Sequence, residues 1–363
     1  MAEKAEILKE KLRPEIKAIT PYYGETDDFE VKINLSGNES PFDLPQEIKE
    51  KFKIEFEKRD INRYPEIYSE ELHKTIADYL SEELEKKVTV DEVAAGNGSD
   101  ELLDMLIRTY VEPGDVVLSQ APTFSMYQYF TQLSGGVYEE IPLNEEFTLE
   151  NIKAKVDQFE PKLIFLCSPN NPTGEMIDKE LILELADYFD GPILVDEAYA
   201  DFSREDLMQE VSSYANLAVT RTFSKAFGLA GIRLGYLYAN KVLVEELKKV
   251  LKPYNLNSLT DIIGCLVLNN DSVIKERIEL IKSERERVNK ELIDYPDWTV
   301  FPSQANFIYL EGEKTHKFKS MLNEQGIKIR SYNTEPAAIR ITIGSPAEND
   351  AVLEVLEEFK QQF

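Results

Sequence analysis

Apolar residues recur at three- and four-residue intervals in several stretches of the chain, the spacing that places them on one face of a helix. In residues 69–86 (SEELHKTIADYLSEELEK), Leu72, Ile76, Tyr79 and Leu80 share such a face, and residues 45–59 (PQEIKEKFKIEFEKR) predict a second amphipathic helix. The stretch VAAGNGSDELLDMLIRTYV runs from a short apolar segment through a Gly-containing turn into a helix. Its apolar face is Leu102, Leu103, Leu106, Ile107 and Tyr110, and the turn Glu112-Pro113-Gly114-Asp115 ends it. Short apolar runs of strand length follow at Val116–Ser119, Val137–Ile141, Leu163–Cys167, Ile193–Val195 and Leu217–Thr220. Helical stretches at 151–159 and 178–189 separate them, and this alternation predicts an α/β fold with a mostly parallel, helix-covered sheet.

The texture changes after about residue 240. Residues 241–294 predict long, charged helices with solvated faces. Beyond them, strand-like pieces (Trp298–Phe301, Asn306–Leu310, Ile327–Arg330, Ile339–Ile343) alternate with two helices, which predicts a smaller α+β domain. The first thirty or so residues read as a mobile arm or short helix broken at Pro14 and Pro21.

Composition narrows the function. The 363 residues carry 41 Lys and Arg against 68 Asp and Glu, a formal net charge of −27. Such a charge opposes nucleic acid and anionic membrane surfaces, which reward clustered cations. The apolar share of 42% is ample for a packed core, and the length fits two domains at about 100–200 residues each. The charged N-terminus lacks the apolar stretch of a signal peptide, and no apolar run is long enough to span a membrane. The expectation is a soluble protein of a reducing compartment, the cytoplasm. Two cysteines (Cys167, Cys265) make no disulfide framework and have no metal-site spacing, so no metal is expected. Two distant histidines (His73, His316) argue against a His-based triad. Proton chemistry should therefore fall to another side chain.

Four segments carry candidate chemistry. In TRTFSKAFGLAGIRLGY (220–236) a strand-like run ends in Thr222, Phe223, Ser224 and Lys225, with Arg233 close behind. Two hydroxyls, an amine and a guanidinium around a turn suit a phosphate held near a nucleophile, although a surface loop would also look like this. In LIFLCSPNNPTG (163–174) a strand runs into a Pro- and Asn-rich loop that could be an ordinary turn. PILVDEAYADF (192–202) puts Asp196 and Glu197 at a strand end with Tyr199 behind, where α/β proteins bind ligands and where a capping Asp is also common. Gly96-Asn97-Gly98-Ser99-Asp100-Glu101 opens a helix whose free N–H groups suit an anion.

Taken together and in this order, these blocks resemble the class I/II, fold-type I pyridoxal-phosphate (PLP) aminotransferases, and more closely the histidinol-phosphate aminotransferase-like branch. The matching blocks are Asn62-Arg63-Tyr64-Pro65, GNGSDE, APTFSMY, SPNNPTG, VDEAY, TFSKAFGLAGIRLGY and IRITIG, spread over roughly residues 33–345. The resemblance implies a large domain built on a mostly parallel seven-stranded sheet and a smaller α+β domain. It also implies PLP as cofactor, amino-acid and oxo-acid substrates, and a homodimer. The expected boundaries are an N-terminal arm (1–44) joining the small domain, a large PLP-binding domain (45–245) and a small C-terminal domain (246–363).

Roles follow by position. Lys225 matches the lysine that attaches the cofactor and later moves the substrate proton. Asp196 matches the partner of the pyridine nitrogen. Tyr199 and Asn171 match the pair that hydrogen-bonds the cofactor's 3′-oxygen. Thr222, Ser224 and Arg233 match phosphate ligands, with backbone N–H groups at Gly98, Ser99 and Asp100. Phe124 matches the aromatic stacked on the ring, and Tyr64 a tyrosine that reaches the neighbouring subunit's cofactor phosphate. Arg340 matches the grip on the substrate α-carboxylate, Arg330 an arginine at the substrate side, and Tyr22 an arm tyrosine over the site.

One block departs from the family's pattern. Where the branch usually reads NENPxGP, this chain has Asn38-Glu39-Ser40-Pro41-Phe42-Asp43. The departure touches substrate identity: histidinol phosphate with 2-oxoglutarate, as in histidine synthesis, or a broad aromatic or aliphatic range. A PLP decarboxylase of a phosphorylated amino acid stays open as well.

Overall fold

The computed structural model describes residues 2–21, 28–144 and 146–362. Its strands are β1 (Ile33–Leu35), β2 (Val93–Gly96), β3 (Val116–Ala121), β4 (Val137–Pro142), β5 (Leu163–Cys167), β6 (Ile193–Asp196), β7 (Leu217–Thr222), β8 (Gly235–Ala239), β9 (Thr299–Val300), β10 (Phe307–Glu311), β11 (Ile327–Tyr332) and β12 (Ala338–Thr342). They form a seven-stranded sheet in the order β2-β8-β7-β6-β5-β3-β4 and a five-stranded sheet in the order β1-β11-β12-β10-β9. In the larger sheet β8 alone runs against its neighbours, as the resemblance implied for a mostly parallel sheet.

The large sheet is buried on both faces. Successive side chains of a strand point to opposite sides, so both sets must be apolar. On β5, Leu163, Phe165 and Cys167 enter one core cluster while Ile164 and Leu166 enter the other. On β6, Leu194 and Val195 divide in the same way. Helix Ser99–Tyr110 covers the first face through Leu102, Leu103 and Leu106. Continuous apolar runs such as LIFLC are therefore strands of a covered parallel sheet. In the small sheet β10 and β12 are buried throughout apart from Glu311, and helices Ser272–Ile293 and Pro346–Gln362 pack together beside them.

Several elements differ from the sequence expectation. Pro14 starts helix Pro14–Ala18 instead of breaking one, since the first helical position needs no N–H donor. The 241–294 stretch is three helices, Lys241–Lys248, Ser258–Leu268 and Ser272–Ile293. The middle one is apolar and buries Ile262, Ile263, Val267 and Leu268, so it is no solvated face. Strands β1 and β8 were not legible: β1 is three residues long, and β8 is hidden in the Gly- and Arg-containing block after Lys225. Among the described residues no helix is long and apolar enough to cross a membrane.

Gly235 sets the closest approach between β8 and the start of helix Ser99–Tyr110. A Cβ there would lie 2.5 Å from the Ser99 nitrogen and 2.7 Å from the Gly98 carbonyl carbon. Both obstacles are backbone. Gly235→Ala should therefore cost about 1–3 kcal/mol in urea unfolding and displace the helix N-terminus, and an unchanged denaturation midpoint would show that the helix can retreat.

Candidate active site

Parallel pairing aligns the ends of β5, β6 and β7, with Cys167 opposite Asp196 and Asp196 opposite Thr220. The loops leaving these ends carry Asn171, Tyr199 and Ser224-Lys225. The N-terminus of helix Ser99–Tyr110 approaches from β2, and β11 and β12 of the small sheet face the same space. A cavity of about 670 Å³ results, lined from the large-sheet side by Asp196, Lys225 and Arg233 and from the small-sheet side by Lys328, Arg330 and Arg340.

Asp196 is 4% exposed. Its Oδ2 accepts from the Tyr127 hydroxyl at 2.8 Å and its Oδ1 from the Ala198 N–H at 3.1 Å. Burial pushes this carboxyl up to about 6 against the pull of those two hydrogen bonds. A carboxylate in such a place is well matched to a cation brought into the cavity. Glu197, next in sequence, points to the opposite face, where Arg221 donates Nε and Nη2 to its Oε2 at 3.0 and 2.8 Å. Strand alternation thus assigns Asp196 to the site and Glu197 to an ion-paired anchor behind it.

Arg233 has φ +55, an unusual left-handed conformation outside glycine. Its Nη2 donates to Asp100 Oδ2 at 3.2 Å and its Nη1 to Ser224 Oγ at 3.5 Å. The Gly98 N–H donates to its carbonyl at 3.1 Å. At Gly98, φ is +78 and a Cβ would stand 2.6 Å from Arg233 Nη2, so only glycine lets the guanidinium lie against the helix start. The first N–H groups of that helix have no intrahelical acceptor. With Thr222, Ser224 and Arg233 they converge as a cradle for a dianion.

Lys225 is half-buried and its Nζ donates to the Gly37 carbonyl at 2.8 Å. Removal from water, and then the positive charge of Arg340, push its ammonium down to about 8, while Glu39 and Asp100 pull the other way. The Tyr199 hydroxyl accepts from Asn38 Nδ2 at 3.0 Å, and burial raises its pKa. Arg340 donates Nη1 to Asn171 Oδ1 and Nη2 to the Ser36 carbonyl, the latter at 2.7 Å. Its Nε is buried without a hydrogen-bond partner.

The family model described as "Aminotransferase class I and II" matches residues 30–356. The chain is 38% identical to the histidinol-phosphate aminotransferase of Pyrococcus furiosus over 349 residues, 96% of this chain and 98% of that protein. It is 37% identical to the protein of that name from Caldanaerobacter subterraneus, covering 97% and 99%. The chain belongs to the class I and II aminotransferases. Among solved structures it is similar to the histidinol-phosphate aminotransferase of Sinorhizobium meliloti in complex with pyridoxal-5′-phosphate, with TM-score 0.84, 23% identity and coverage of 96% and 98%. The L-threonine-O-3-phosphate decarboxylase of Porphyromonas gingivalis shares the fold at TM-score 0.77 and 24% identity, covering 91% and 100%.

The aminotransferase's donor set fits PLP, the cofactor this family works with. A dianion cradle, a buried carboxylate, the Phe124 ring and a low-pKa amine line one cavity. Of the positions expected from sequence, Ser99, Asp100, Phe124, Asn171, Asp196, Tyr199, Thr222, Ser224, Lys225, Arg233, Arg330 and Arg340 line it. Gly98 stands directly behind Arg233. Tyr64 does not reach the cavity of its own chain: it is 81% exposed and stacked on Tyr254 with centroids 4.7 Å apart. Tyr22 lies outside the described residues. Three residues escaped the sequence reading. Tyr127 lies three positions after Phe124, in the first turn of helix Met126–Ser134, inside the same APTFSMY block that could have found it. Asn38, which holds Tyr199, lies within the NESP block. Lys328 lies two positions before Arg330 on β11, so strand alternation puts both on one face.

In the cofactor-free aminotransferase, labelling of Lys225 by an amine-reactive reagent should titrate with a midpoint near pH 8, well below an ordinary lysine. Arg340→Ala removes a nearby positive charge and should move that midpoint upward, read by mass spectrometry of the labelled peptide. A midpoint above 10 in the wild type would remove the low-pKa amine from this account.

Proposed function

We propose that this enzyme transfers the amino group between histidinol phosphate and a 2-oxo acid such as 2-oxoglutarate. One observation carries the reading. Arg330 and Arg340 are cross-strand partners on β11 and β12, side by side on the face that lines the cavity, with Lys328 beside them. Three cationic side chains converging on one wall of a cavity favour an anionic group on the molecule it takes. A phosphate on the substrate suits that wall, and a 2-oxo acid's carboxylate suits it in the other half of the reaction. The identity to histidinol-phosphate aminotransferases over nearly the whole chain supports the same substrate.

Bound PLP supplies a carbonyl that takes up the amino group and a ring that draws electrons from the substrate Cα. The chain's own residues do the rest. Lys225 would hold the cofactor through Nζ and would serve as the base that moves the proton at the substrate Cα, a task suited to its lowered pKa. Asp196 holds a proton on the ring nitrogen, with Tyr127 fixing the carboxylate. Tyr199 and Asn171 donate to the ring's 3′-oxygen, and Phe124 covers the ring. Thr222, Ser224, Arg233 and the N–H groups of Ser99 and Asp100 would hold the cofactor phosphate; the Gly98 N–H, expected to join them, is instead spent on the Arg233 carbonyl. Arg340 and Arg330 would grip the substrate anion.

The active unit in this reading is a cytoplasmic homodimer, with domains divided near residues 44 and 245. Ile54, Ile61, Tyr64, Ile67 and Tyr68 are all more than 40% exposed, an apolar surface suited to a second copy. Tyr64 then reaches the partner's cofactor phosphate.

A half-reaction screen tests the substrate: the cofactor spectrum should convert with histidinol phosphate faster than with aromatic, aliphatic or acidic amino acids. Arg330→Ala should lower kcat/KM for histidinol phosphate by about 10²-fold and affect an aromatic amino acid far less. Equal losses for both would refute a phosphate role for Arg330. Lys225→Ala should lose borohydride-reducible attachment of the cofactor while still taking it up.

Tyr64→Phe removes one hydroxyl and should weaken cofactor affinity about fivefold while sedimentation still reports a dimer. Unaltered affinity would take Tyr64 out of the neighbouring site.

A further inference from the structure

Arg285, on helix Ser272–Ile293, is 5% exposed. A guanidinium so deeply buried is normally matched by a carboxylate. Arg287 on the same helix pairs with Glu284 and Asp350, and Arg221 pairs with Glu197, Asp201 and Asp206. Among the described residues Arg285 bonds to no carboxylate: its Nη1 donates to the carbonyl oxygens of Phe202 at 3.1 Å and Ala305 at 3.0 Å. It borders a cavity of about 320 Å³ together with Arg204, Glu286, Asn289, Ser303 and Gln304. Burial and the charge of Arg204 both push the Arg285 guanidinium down from its ordinary pKa, and Glu286 opposes them through space. Two guanidiniums against one carboxylate leave the lining one positive charge in excess.

We propose that this cavity is a second ligand site, which binds a small carboxylate between Arg204 and Arg285. A carboxylate offers two acceptor oxygens to a guanidinium fork and brings the single negative charge that the lining lacks. A phosphate dianion would over-compensate the lining and meet Glu286. The cavity shares no lining residue with the active site. It stands behind it: the Gln304 N–H donates to the Gly174 carbonyl at 2.7 Å, and a Cβ at Gly174 would lie 2.4 Å from Ser303 Oγ. Its wall is thus pressed against the loop whose Asn171 accepts from Arg340.

Calorimetric titration of acetate into the PLP-loaded enzyme tests the site, in an Arg340→Ala background that weakens the active-site grip on carboxylates. Acetate should bind at a site that depends on Arg204. Adding Arg204→Ala should weaken it at least tenfold, and adding Glu286→Gln should tighten it. Both side chains are exposed, so neither change threatens the fold. Absence of binding, or equal affinity with and without Arg204, overturns the proposal. Binding of inorganic phosphate where acetate is silent overturns the assignment to a carboxylate.

Discussion

Cys167, Asp196 and Thr220 stand side by side because β5, β6 and β7 run parallel in one register, and every other group of the site is positioned from that row. A parallel sheet needs a crossover between successive strands, so all its strand ends of one kind open on the same edge. Loops that are far apart in sequence are thereby delivered to one place. The same arrangement buries both faces, which leaves the strand ends as the outlet for polar chemistry.

Within that edge, two neighbouring carboxylates are sent to different places by alternation. Asp196 and Glu197 are neighbours in the chain, yet one faces the cavity and the other is forked by Arg221 beneath the sheet. The ion pairs behind the sheet fix the strand ends without neutralising the site. The cavity itself has two positive ends. One is Arg233 with the helix start, and the other is the pair Arg330 and Arg340 with Lys328. Lys225 lies between them and owes its lowered pKa to burial and then to Arg340. A chain of net charge −27 thus carries a locally basic site, because the surface and the cavity are charged independently.

Much of the site was legible because its residues come in short blocks tied to strand ends. TFSKAF, VDEAY and SPNNPTG each pair an apolar strand with a polar turn, a pattern that local sequence preserves. Tyr127 was passed over because a tyrosine on an apolar helix face reads as core, and it is both: buried, and bonded to Asp196. Asn38 was passed over because its role depends on Tyr199, 161 positions away. Strand β8 was obscured by Arg233 and by Gly235, a glycine that the strand needs because the helix start and the Arg221 carbonyl of β7 press so close.

The sequence by itself determined most of the elements, the cationic residues of both positive ends and the family, since those depend on local spacing and residue type. Only the tertiary structure decided that Arg330 and Arg340 stand opposite each other, that Glu197 turns away from the site, and that Arg285 is buried without a carboxylate. Each of these is a relation between distant segments, set by strand register and by packing against a second element. No local pattern encodes such a relation, because its energy arises only when both segments have met.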